Sequence, residues 1–196
     1  MIETLVLASH NKGKLKEFDA LLKGLVGGVK SAADLGLAEP EETGATFLEN
    51  ATLKAVAAMK ACGLPCLSDD SGLSVAALGG APGVYSADWA GNPRDFQKAM
   101  ALVHDKMGEA ADKSAFFTSI LVLAYPDGRI EHFEGRVDGA IVWPPRGIEG
   151  FGYDPMFMPD GYAKSFGEMS ADEKHAISHR ARAVEKFIDY LKGENA

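Results

Sequence analysis

The sequence predicts a globular protein of the α/β class, because helical and strand patterns occur together within one 196-residue chain. An apolar run from Leu5 to Ala8 predicts a strand, and the stripe that follows it predicts a helix. The segment from Thr46 to Cys62 carries helix signals at both ends. Two β-rich segments from Ala115 onward predict a hairpin. This length accommodates a single domain covering residues 1–196, or two lobes that share a core.

Composition and charge argue against a nucleic-acid-binding protein. Hydrophobic residues make up 46% of the chain and charged residues 24%, which is ordinary for a soluble globular protein. The formal net charge is −8, whereas a duplex-binding surface needs clustered Lys and Arg to neutralise phosphates. We therefore expect no nucleic-acid partner. The same charge is compatible with one small anionic ligand.

Three features of the sequence predict a cytoplasmic location. The opening residues, MIETLVLASH, place Glu3 and no basic residue ahead of a short apolar run, which is not the pattern of a signal peptide. No apolar run approaches membrane-spanning length, so we expect no membrane partner. The two cysteines, Cys62 and Cys66, support neither a disulfide framework nor a four-ligand zinc site. Free thiols in a reducing compartment are the expectation.

A polar loop between the first strand and the first helix predicts an anion site. The loop consists of Ser9, His10, Asn11, Lys12, Gly13 and Lys14. Unpaired amides at a helix start carry partial positive charge, and the two lysines add to it. Triphosphate is the candidate ligand, although the GxxxxGK[ST] spacing of a Walker A loop is absent. A surface loop with two solvated lysines is the alternative interpretation.

The segment from Glu39 to Gly72 predicts a helix and then a buried strand. Thr46 and Glu49 have the spacing of a capping box, and Gly63 follows the last helical position. A strand is expected from Leu64 to Ser68. The expected apolar face of the helix contains Phe47, Leu48, Ala51, Ala55, Ala58 and Met59.

This segment also holds two groups of carboxylates. A helix of roughly 16 residues advances about 24 Å, and an extended return from Leu64 to Asp70 covers about 20 Å. An antiparallel return would bring Asp69 and Asp70 close to Glu41 and Glu42. Crowded carboxylates resist ionising together unless a divalent cation neutralises them, and Mg²⁺ prefers oxygen ligands. The alternative, which is commoner for acidic loops, is a solvated loop with Asp69 in a turn.

The patterns in the middle of the chain predict structural elements to which we assign no chemistry. The glycines between Gly79 and Gly83 predict a tight turn. A helix is expected from Pro93 to Met107, with Asn92 as its N-cap. Ala115 to Tyr125 and Ile130 to Val137 predict the two strands of the hairpin.

The loop from Gly147 to Phe157, GIEGFGYDPMF, predicts a second ligand contact. Glycines beside Phe151 and Tyr153 let an aromatic face stand clear of the backbone and stack on a planar ring. The alternative is an aromatic core residue beside a glycine-rich turn.

The last segment opens with a capping box formed by Ser170 and Glu173. His175 and His179 lie four residues apart, but the glutamate of HExxH and a third ligand are missing, so a metal pair is not favoured. We interpret His179 and Arg180 as donors for carbonyl or phosphate oxygens. A solvated helix face is the alternative.

The sequence resembles the inosine triphosphate pyrophosphatase family. Four motifs carry the resemblance: SHNKGK, EET with SDDSG, GFGYDP and EKHAISHR. The resemblance runs from Leu5 to about Leu191, and its longest motifs are TFLENATLKA, LSDDSGL, LGGAPGVYSA, FGYDPMF and AISHRARA. It implies an elongated, two-lobed α/β fold around a mixed, twisted central sheet with flanking helices. It also implies an active-site cleft between the lobes and a homodimer.

The resemblance assigns roles to individual residues. It implies Mg²⁺ ligands at Glu41 and Asp70, a general-base role for Asp70 and a catalytic role for Lys14. The loop from Ser9 to Lys14 matches the triphosphate-binding segment. The implied nucleotide contacts are Ser71, Phe151, Gly152, Tyr153, Asp154, Lys174, His179 and Arg180. One departure is Asp88-Trp89, which stands where many relatives have Arg-Tyr.

The implied reaction is the Mg²⁺-dependent hydrolysis of ITP, dITP and XTP to the monophosphate and pyrophosphate, which cleanses the nucleotide pool. Donors at His179 and Arg180 would pair with the 6-keto oxygen, whereas the amino group of adenine would leave them unpaired. Two rival functions are a pyrophosphatase for other modified or standard nucleotides and a non-catalytic nucleotide sensor. A sensor would not need the carboxylate of Asp70.

Overall fold

The structure, a computed structural model, describes residues 2–22 and 24–194. Its strands are β1 (Leu5–Leu7), β2 (Val29–Ser31), β3 (Cys66–Val75), β4 (Ser114–Ala124), β5 (Ile130–Ile141) and β6 (Phe157–Pro159). Its α-helices are α1 (Lys12–Leu22), α2 (Phe47–Cys62), α3 (Phe96–Met107), α4 (Ala171–His175) and α5 (His179–Glu194). None of the helices in these described residues has both the length and the apolar character needed to cross a membrane.

The six strands form one mixed sheet in the order β2-β1-β3-β4-β5-β6. Strand β1 pairs in parallel with both β2 and β3, and Val6 lies opposite Cys66 in the second pair. Strands β5 and β6 pair in the antiparallel direction. Strands of both orientations alternate along the chain with helices, so the predicted α/β class with a mixed sheet and flanking helices is confirmed.

The contacts of the chain group it into two compact units. The first unit comprises Met1–Asp70, Ser119–Gly135 and Arg180–Ala196, and the second comprises Ser71–Thr118 and Arg136–His179. The main core of the first unit includes Leu5, Leu67, Leu121, Leu123 and Phe187. The core of the second unit includes Leu73, Met100, Phe117, Phe157 and Phe166. The single-domain, two-lobed organisation stays a prediction.

Helix α2 begins and ends where the sequence signals predict. The Thr46 side chain accepts from the backbone N–H of Glu49, and the Glu49 carboxylate accepts from the backbone N–H of Thr46. Gly63 closes the helix in the left-handed conformation, with φ 68°, which a residue without Cβ adopts readily. The apolar face packs through Ala51 and Ala55, both 0% exposed. The inclusion of Leu48 in that face is wrong, because this side chain is exposed.

Strand β3 is longer than predicted, and this changes the position of the acidic pair. It runs without interruption from Cys66 to Val75, through the whole of SDDSG. Asp69 therefore lies inside a strand, with 2% of its surface exposed, and the alternative that placed it in a turn is wrong. Strand β3 lies between β1 and β4 in the sheet, and this sheet context overrides the low strand propensity of Asp and Gly.

The start of α3 also differs from the prediction. Its N-cap is Asp95, whose side chain accepts from the backbone N–H groups of Gln97 and Lys98, so Asn92 is not the cap. Met100 and Val103 of this helix are buried in the core of the second unit. An aspartate three residues beyond a candidate Asn is an equally good cap, and the local pattern alone does not separate the two.

The predicted hairpin is confirmed in strands β4 and β5. The Tyr125 backbone N–H donates to the carbonyl of Arg129, and Gly128 donates to the carbonyl of Tyr125, which closes the turn. The capping box of Ser170 and Glu173 is confirmed at the start of α4.

As a first prediction, replacing Thr46 with Ala should lower the free energy of unfolding by about 1 kcal/mol, because the Glu49 amide loses its acceptor. Urea denaturation followed by circular dichroism measures the change. The matched control is Thr43→Ala, an exposed position outside the helix, where a change within about 0.5 kcal/mol is expected. Equal effects of the two substitutions would contradict the capping role.

Candidate functional site

The loop before α1 is built around the side chain of Asn11. Its Oδ1 accepts from the backbone N–H groups of Gly13, at 2.9 Å, and Lys14, at 3.2 Å. The Asn11 backbone N–H in turn donates to Ser9 Oγ at 3.2 Å. The expectation of unpaired, outward amides is therefore wrong at Gly13 and Lys14, because Asn11 caps the helix from within the loop. His10 is held apart from these groups, with Nε2 3.0 Å from the carbonyl of Leu37.

Asp69 is the centre of a buried ion-pair cluster in the first unit. Its Oδ2 lies 2.8 Å from Lys14 Nζ and 3.1 Å from Arg180 Nη2. Its Oδ1 accepts from Ser119 Oγ at 2.5 Å. Arg180 also donates through Nη1 to the carboxylate of Glu17 on α1. Asp69 thus joins α1, α5 and β4 to β3.

Charge pairing outweighs the cost of burial at Asp69 and Arg180, whereas burial lowers the pKa of Lys14 below its ordinary value. Burial alone would raise the pKa of Asp69, but Arg180 and Lys14, together with hydrogen bonds from Lys14 and Ser119, hold it well below its usual range. Burial alone would lower the pKa of Arg180, and the carboxylates of Asp69 and Glu17 raise it instead. Asp69 and Arg180 are therefore charged in the folded protein at neutral pH.

In the neighbouring residue, Asp70, only one of the two carboxylate oxygens has a hydrogen-bond partner among the described residues. Lys54 on α2 donates from Nζ to Asp70 Oδ1 at 2.9 Å and to Glu42 Oε1 at 2.7 Å. The other oxygen, Asp70 Oδ2, is buried and has no hydrogen-bond partner within the described residues. The Asp70 side chain is 7% exposed, so this oxygen is an unpaired acceptor in the interior.

The electrostatics of Asp70 differ from those of Asp69. Burial raises the pKa of Asp70, Lys54 and Lys14 pull it down, and Glu42 pushes it up, with a net increase. Burial would lower the pKa of Lys54, but Asp70 and Glu42 raise it above its ordinary value. A raised pKa makes the ionised carboxylate of Asp70 a better proton acceptor than an ordinary aspartate.

The two predicted acidic groups, before α2 and in β3, come together through Glu42 and Asp70. Lys54 brings the carboxylates of Glu42 and Asp70 onto one ammonium group. Glu41 precedes Glu42 in the same exposed segment, and its role as a metal ligand stays a prediction. Within residues 2–22 and 24–194, no three or more His, Cys, Asp or Glu side chains cluster in a way that could hold a metal ion.

In the second unit, Asp154 organises the aromatic loop. Its Oδ2 accepts from the backbone N–H of Phe151 at 2.7 Å and from Lys174 Nζ at 2.8 Å. Lys174 is buried and lies 4.8 Å from the centre of the Phe151 ring. Gly150 has φ 72°, and a Cβ at this position would overlap the Asp154 carboxylate, so the loop requires glycine here. Phe151 itself is half-buried.

The predicted contact residues Tyr153 and His179 are buried in the same unit. Tyr153 is 3% exposed, and its hydroxyl donates to the carbonyl of Ser86 at 2.8 Å. Its ring packs edge-on against Phe96. His179 stacks on Phe117 with 4.8 Å between the ring centres. For Tyr153 the arrangement matches the alternative of an aromatic core residue beside a glycine-rich turn.

The remaining predicted contacts have the following positions. Ser71 is half-buried in β3, and Gly152 lies beside the ring of Phe96. In the Asp88-Trp89 pair, which differs from the Arg-Tyr of many relatives, the Trp89 ring lies 5.7 Å from Lys106 Nζ on α3. Arg180, predicted to contact the base, has its guanidinium directed at two carboxylates and is 1% exposed.

Sequence reasoning missed Lys54, Glu17 and Ser119. For Lys54 a signal was present, because it stands three residues after Ala51 and next to Ala55, within the predicted apolar face of the helix. A lysine in such a stripe needs a buried counter-charge, and the nearby carboxylates supply it. Glu17 and Ser119 gave no comparable signal.

The chain matches known proteins along nearly its whole length. The sequence model of the Ham1 family matches residues 5–190. A dITP/XTP pyrophosphatase of Agrobacterium fabrum is 55% identical over 202 residues, covering 95% of this chain and 94% of the relative. A dITP/XTP pyrophosphatase of Ruegeria pomeroyi is 56% identical over 191 residues, with the same coverage of 95% and 94%.

Solved structures match as well. The structure of a Ham1 protein from Coxiella burnetii superposes with a TM-score of 0.90 at 37% identity, covering 98% of this chain and 100% of the other. A nucleoside-triphosphatase, dITP/XTP pyrophosphatase, from Mycobacterium abscessus gives a TM-score of 0.77 at 39% identity, with 94% and 98% covered.

The Asp69 cluster yields a stability prediction. Asp69→Asn should lower the free energy of unfolding at neutral pH by about 3–5 kcal/mol, because it leaves buried Arg180 and half-buried Lys14 without a full counter-charge. The folded pKa of Asp69 lies below its unfolded value, so its contribution is complete above about pH 4 and is lost as the pH falls toward the folded pKa. The difference between the two proteins should therefore shrink in acid.

Urea denaturation at neutral pH and at about pH 2, well below the unfolded pKa of an aspartate, measures this dependence. The control is Asp19→Asn, an exposed aspartate on the same helix as Lys14, which should leave stability unchanged at both values. A loss of stability in Asp69→Asn that is equally large at both pH values would contradict the assigned pKa direction.

Proposed function

The chain belongs to the Ham1 family, and we propose that it hydrolyses the non-standard purine nucleoside triphosphates dITP, ITP and XTP to the monophosphate and pyrophosphate. Relatives of about 55% identity that carry the name dITP/XTP pyrophosphatase support the substrate class. The structural observation that carries the proposal is Asp70 Oδ2, a buried carboxylate oxygen without a partner among the described residues. An unpaired acceptor of this kind suits a site that receives a ligand.

The donors around Asp70 fit a divalent cation, for which we propose Mg²⁺. Mg²⁺ in phosphate-transferring sites takes one or two carboxylates and completes its shell with water and substrate phosphates, so a cluster of three protein ligands is not required. Asp70 and Glu41 would hold the ion. When bound, it neutralises phosphate charge and polarises the phosphorus being attacked.

The protein groups of the first unit act on the phosphates and on the attacking water. Lys54 fixes the Asp70 carboxylate through Oδ1. Oδ2 would hold the ion with one lone pair and accept the proton of the attacking water with the other. The oxygen of that water attacks the α-phosphorus, and the bond to the bridging oxygen breaks as pyrophosphate leaves. Lys14, with the loop from Ser9, carries positive charge that offsets the charge developing on the leaving group.

The second unit is proposed to recognise the base. An open cavity of about 840 Å³ borders Phe151 and Gly152. Phe151 offers a ring face for stacking, and Asp154 and Lys174 hold that ring in place. His179 is proposed as a donor to the 6-keto oxygen. Arg180 lies in the first unit with its guanidinium directed at Glu17 and Asp69, and its contact with the base stays a prediction. Adenine, with an amino group at that position, would leave the His179 donor unpaired at a cost of about 1–3 kcal/mol.

The cellular setting is part of the same proposal. We propose a cytoplasmic location for the enzyme, and a homodimer as the family resemblance implies. Cys62 and Cys66 are both free thiols, which agrees with a reducing compartment. Light scattering during size-exclusion chromatography measures the assembly, and a monomer at working concentration would remove the homodimer from the proposal.

A substrate panel tests the function directly. Pyrophosphate release from dITP, ITP and XTP should exceed release from ATP by about 10- to 100-fold in kcat/KM, because each unpaired donor weakens the transition state. Chelation of divalent ions should abolish release from every substrate. Turnover of ATP or a pyrimidine triphosphate at the same rate would favour a general pyrophosphatase. Binding without turnover would favour a sensor.

Asp70→Asn tests the catalytic carboxylate. It should lower kcat for dITP by at least about 100-fold, because the amide cannot take up the proton of the water. Circular dichroism should show an unchanged fold, and calorimetry should show weaker Mn²⁺ binding. Asp19→Asn, on the exposed face of α1, should keep full activity. Retained turnover in Asp70→Asn would exclude this role.

A further inference from the structure

Two cysteines face each other at the turn between α2 and β3. Cys62 is the last residue of the helix, and Cys66 is the first residue of the strand. Gly63, in the left-handed conformation, reverses the chain between them. Their sulfur atoms lie 3.5 Å apart, so a closure of about 1.5 Å would bring them to the length of a disulfide bond.

The two sulfurs have different surroundings. Cys62 is half-buried, so solvent reaches part of it, whereas Cys66 is 0% exposed within the core. Cys66 Sγ lies 3.3 Å from the carbonyl of Leu64, to which its S–H donates. With its hydrogen directed at Leu64, a lone pair of Cys66 faces Cys62. Burial, with Cys62 beside it, raises the pKa of the Cys66 thiol well above its ordinary range.

We propose that this pair is a hydroperoxide-sensitive modification site, at which Cys62 is oxidised and Cys66 captures it as a disulfide. Cys62 Sγ attacks one oxygen of hydrogen peroxide, so that an S–O bond forms, the O–O bond breaks, and the other oxygen leaves as water with the proton of the Cys62 thiol. Cys66 Sγ then attacks Cys62 Sγ, the S–S bond forms, and the hydroxyl leaves as a second water with the Cys66 proton. Two thiols and one peroxide become a disulfide and two waters.

We expect this disulfide to form and be reduced again, and to add little to the stability of the fold. It would close a loop of only a few residues, for which the entropic stabilisation is small. Disulfides in reducing compartments are usually transient and redox-sensing. Capture by Cys66 stops Cys62 at the reversible stage, before sulfinic acid forms. The inference does not depend on the proposed hydrolysis.

The test oxidises the reduced, full-length protein with hydrogen peroxide under native conditions. Remaining thiols are then alkylated and the intact and peptide masses are measured. The expected result is the loss of both free thiols, a mass lower by two hydrogens, a linkage between Cys62 and Cys66, and full reversal by dithiothreitol. Retention of both thiols, or a disulfide between chains on a non-reducing gel, would overturn the proposal.

Three variants assign the roles of the two sulfurs. In Cys66→Ser, Cys62 should accumulate sulfenic acid that dimedone traps and should pass on to sulfinic acid. In Cys62→Ser, Cys66 should stay reduced, because burial shields it. Cys66→Ala repeats the first measurement in a form that adds no hydroxyl to the core. Sulfinic acid at Cys62 forming as fast in the natural protein as in both Cys66 variants would contradict capture.

Discussion

The pairing of Asp69 with Lys14 and Arg180 is the interaction on which the first unit depends. Asp69 and Arg180 are buried and the Lys14 side chain is 13% exposed, and burying a charge without a partner is far more costly than any surface contact could offset. The cluster therefore forms as a whole or not at all. Because its members come from α1, β3 and α5, it fixes the loop before α1 relative to the acidic strand. The geometry of the proposed phosphate site follows from this constraint.

The alternation of side chains along a strand explains why two adjacent aspartates behave so differently. Successive residues of β3 point to opposite faces of the sheet. Asp69 meets Lys14 and Arg180 on one face, whereas Asp70, like Ser68, meets α2 on the other. One carboxylate is fully paired, with a lowered pKa, and its neighbour keeps one oxygen unpaired, with a raised pKa. A single dipeptide thus supplies both the structural anchor and the proposed reactive group.

Local signals in the sequence predicted the features that depend on local interactions. The capping box at Thr46, the end of α2 at Gly63 and the hairpin turn were all confirmed, because each is fixed by residues a few positions apart. The length of β3 and the partners of Arg180 were not predicted. Arg180 binds Glu17, which lies 163 positions away, and no local pattern encodes such a pair. The resemblance supplied the proposed site residues, and the structure shows that Lys54 and the Asp69 cluster hold several of them in place.

In the proposed function, the unpaired oxygen of Asp70 receives a divalent cation beside the triphosphate. The most direct measurement is a crystal structure with Mn²⁺ and a non-hydrolysable dITP analogue, in which anomalous scattering locates the ion. The expected result is a metal peak at Asp70 Oδ2, with the triphosphate against the loop from Ser9 to Lys14 and the Asp69 cluster intact. A peak elsewhere, with Asp70 Oδ2 still unliganded while the nucleotide is bound, would contradict it.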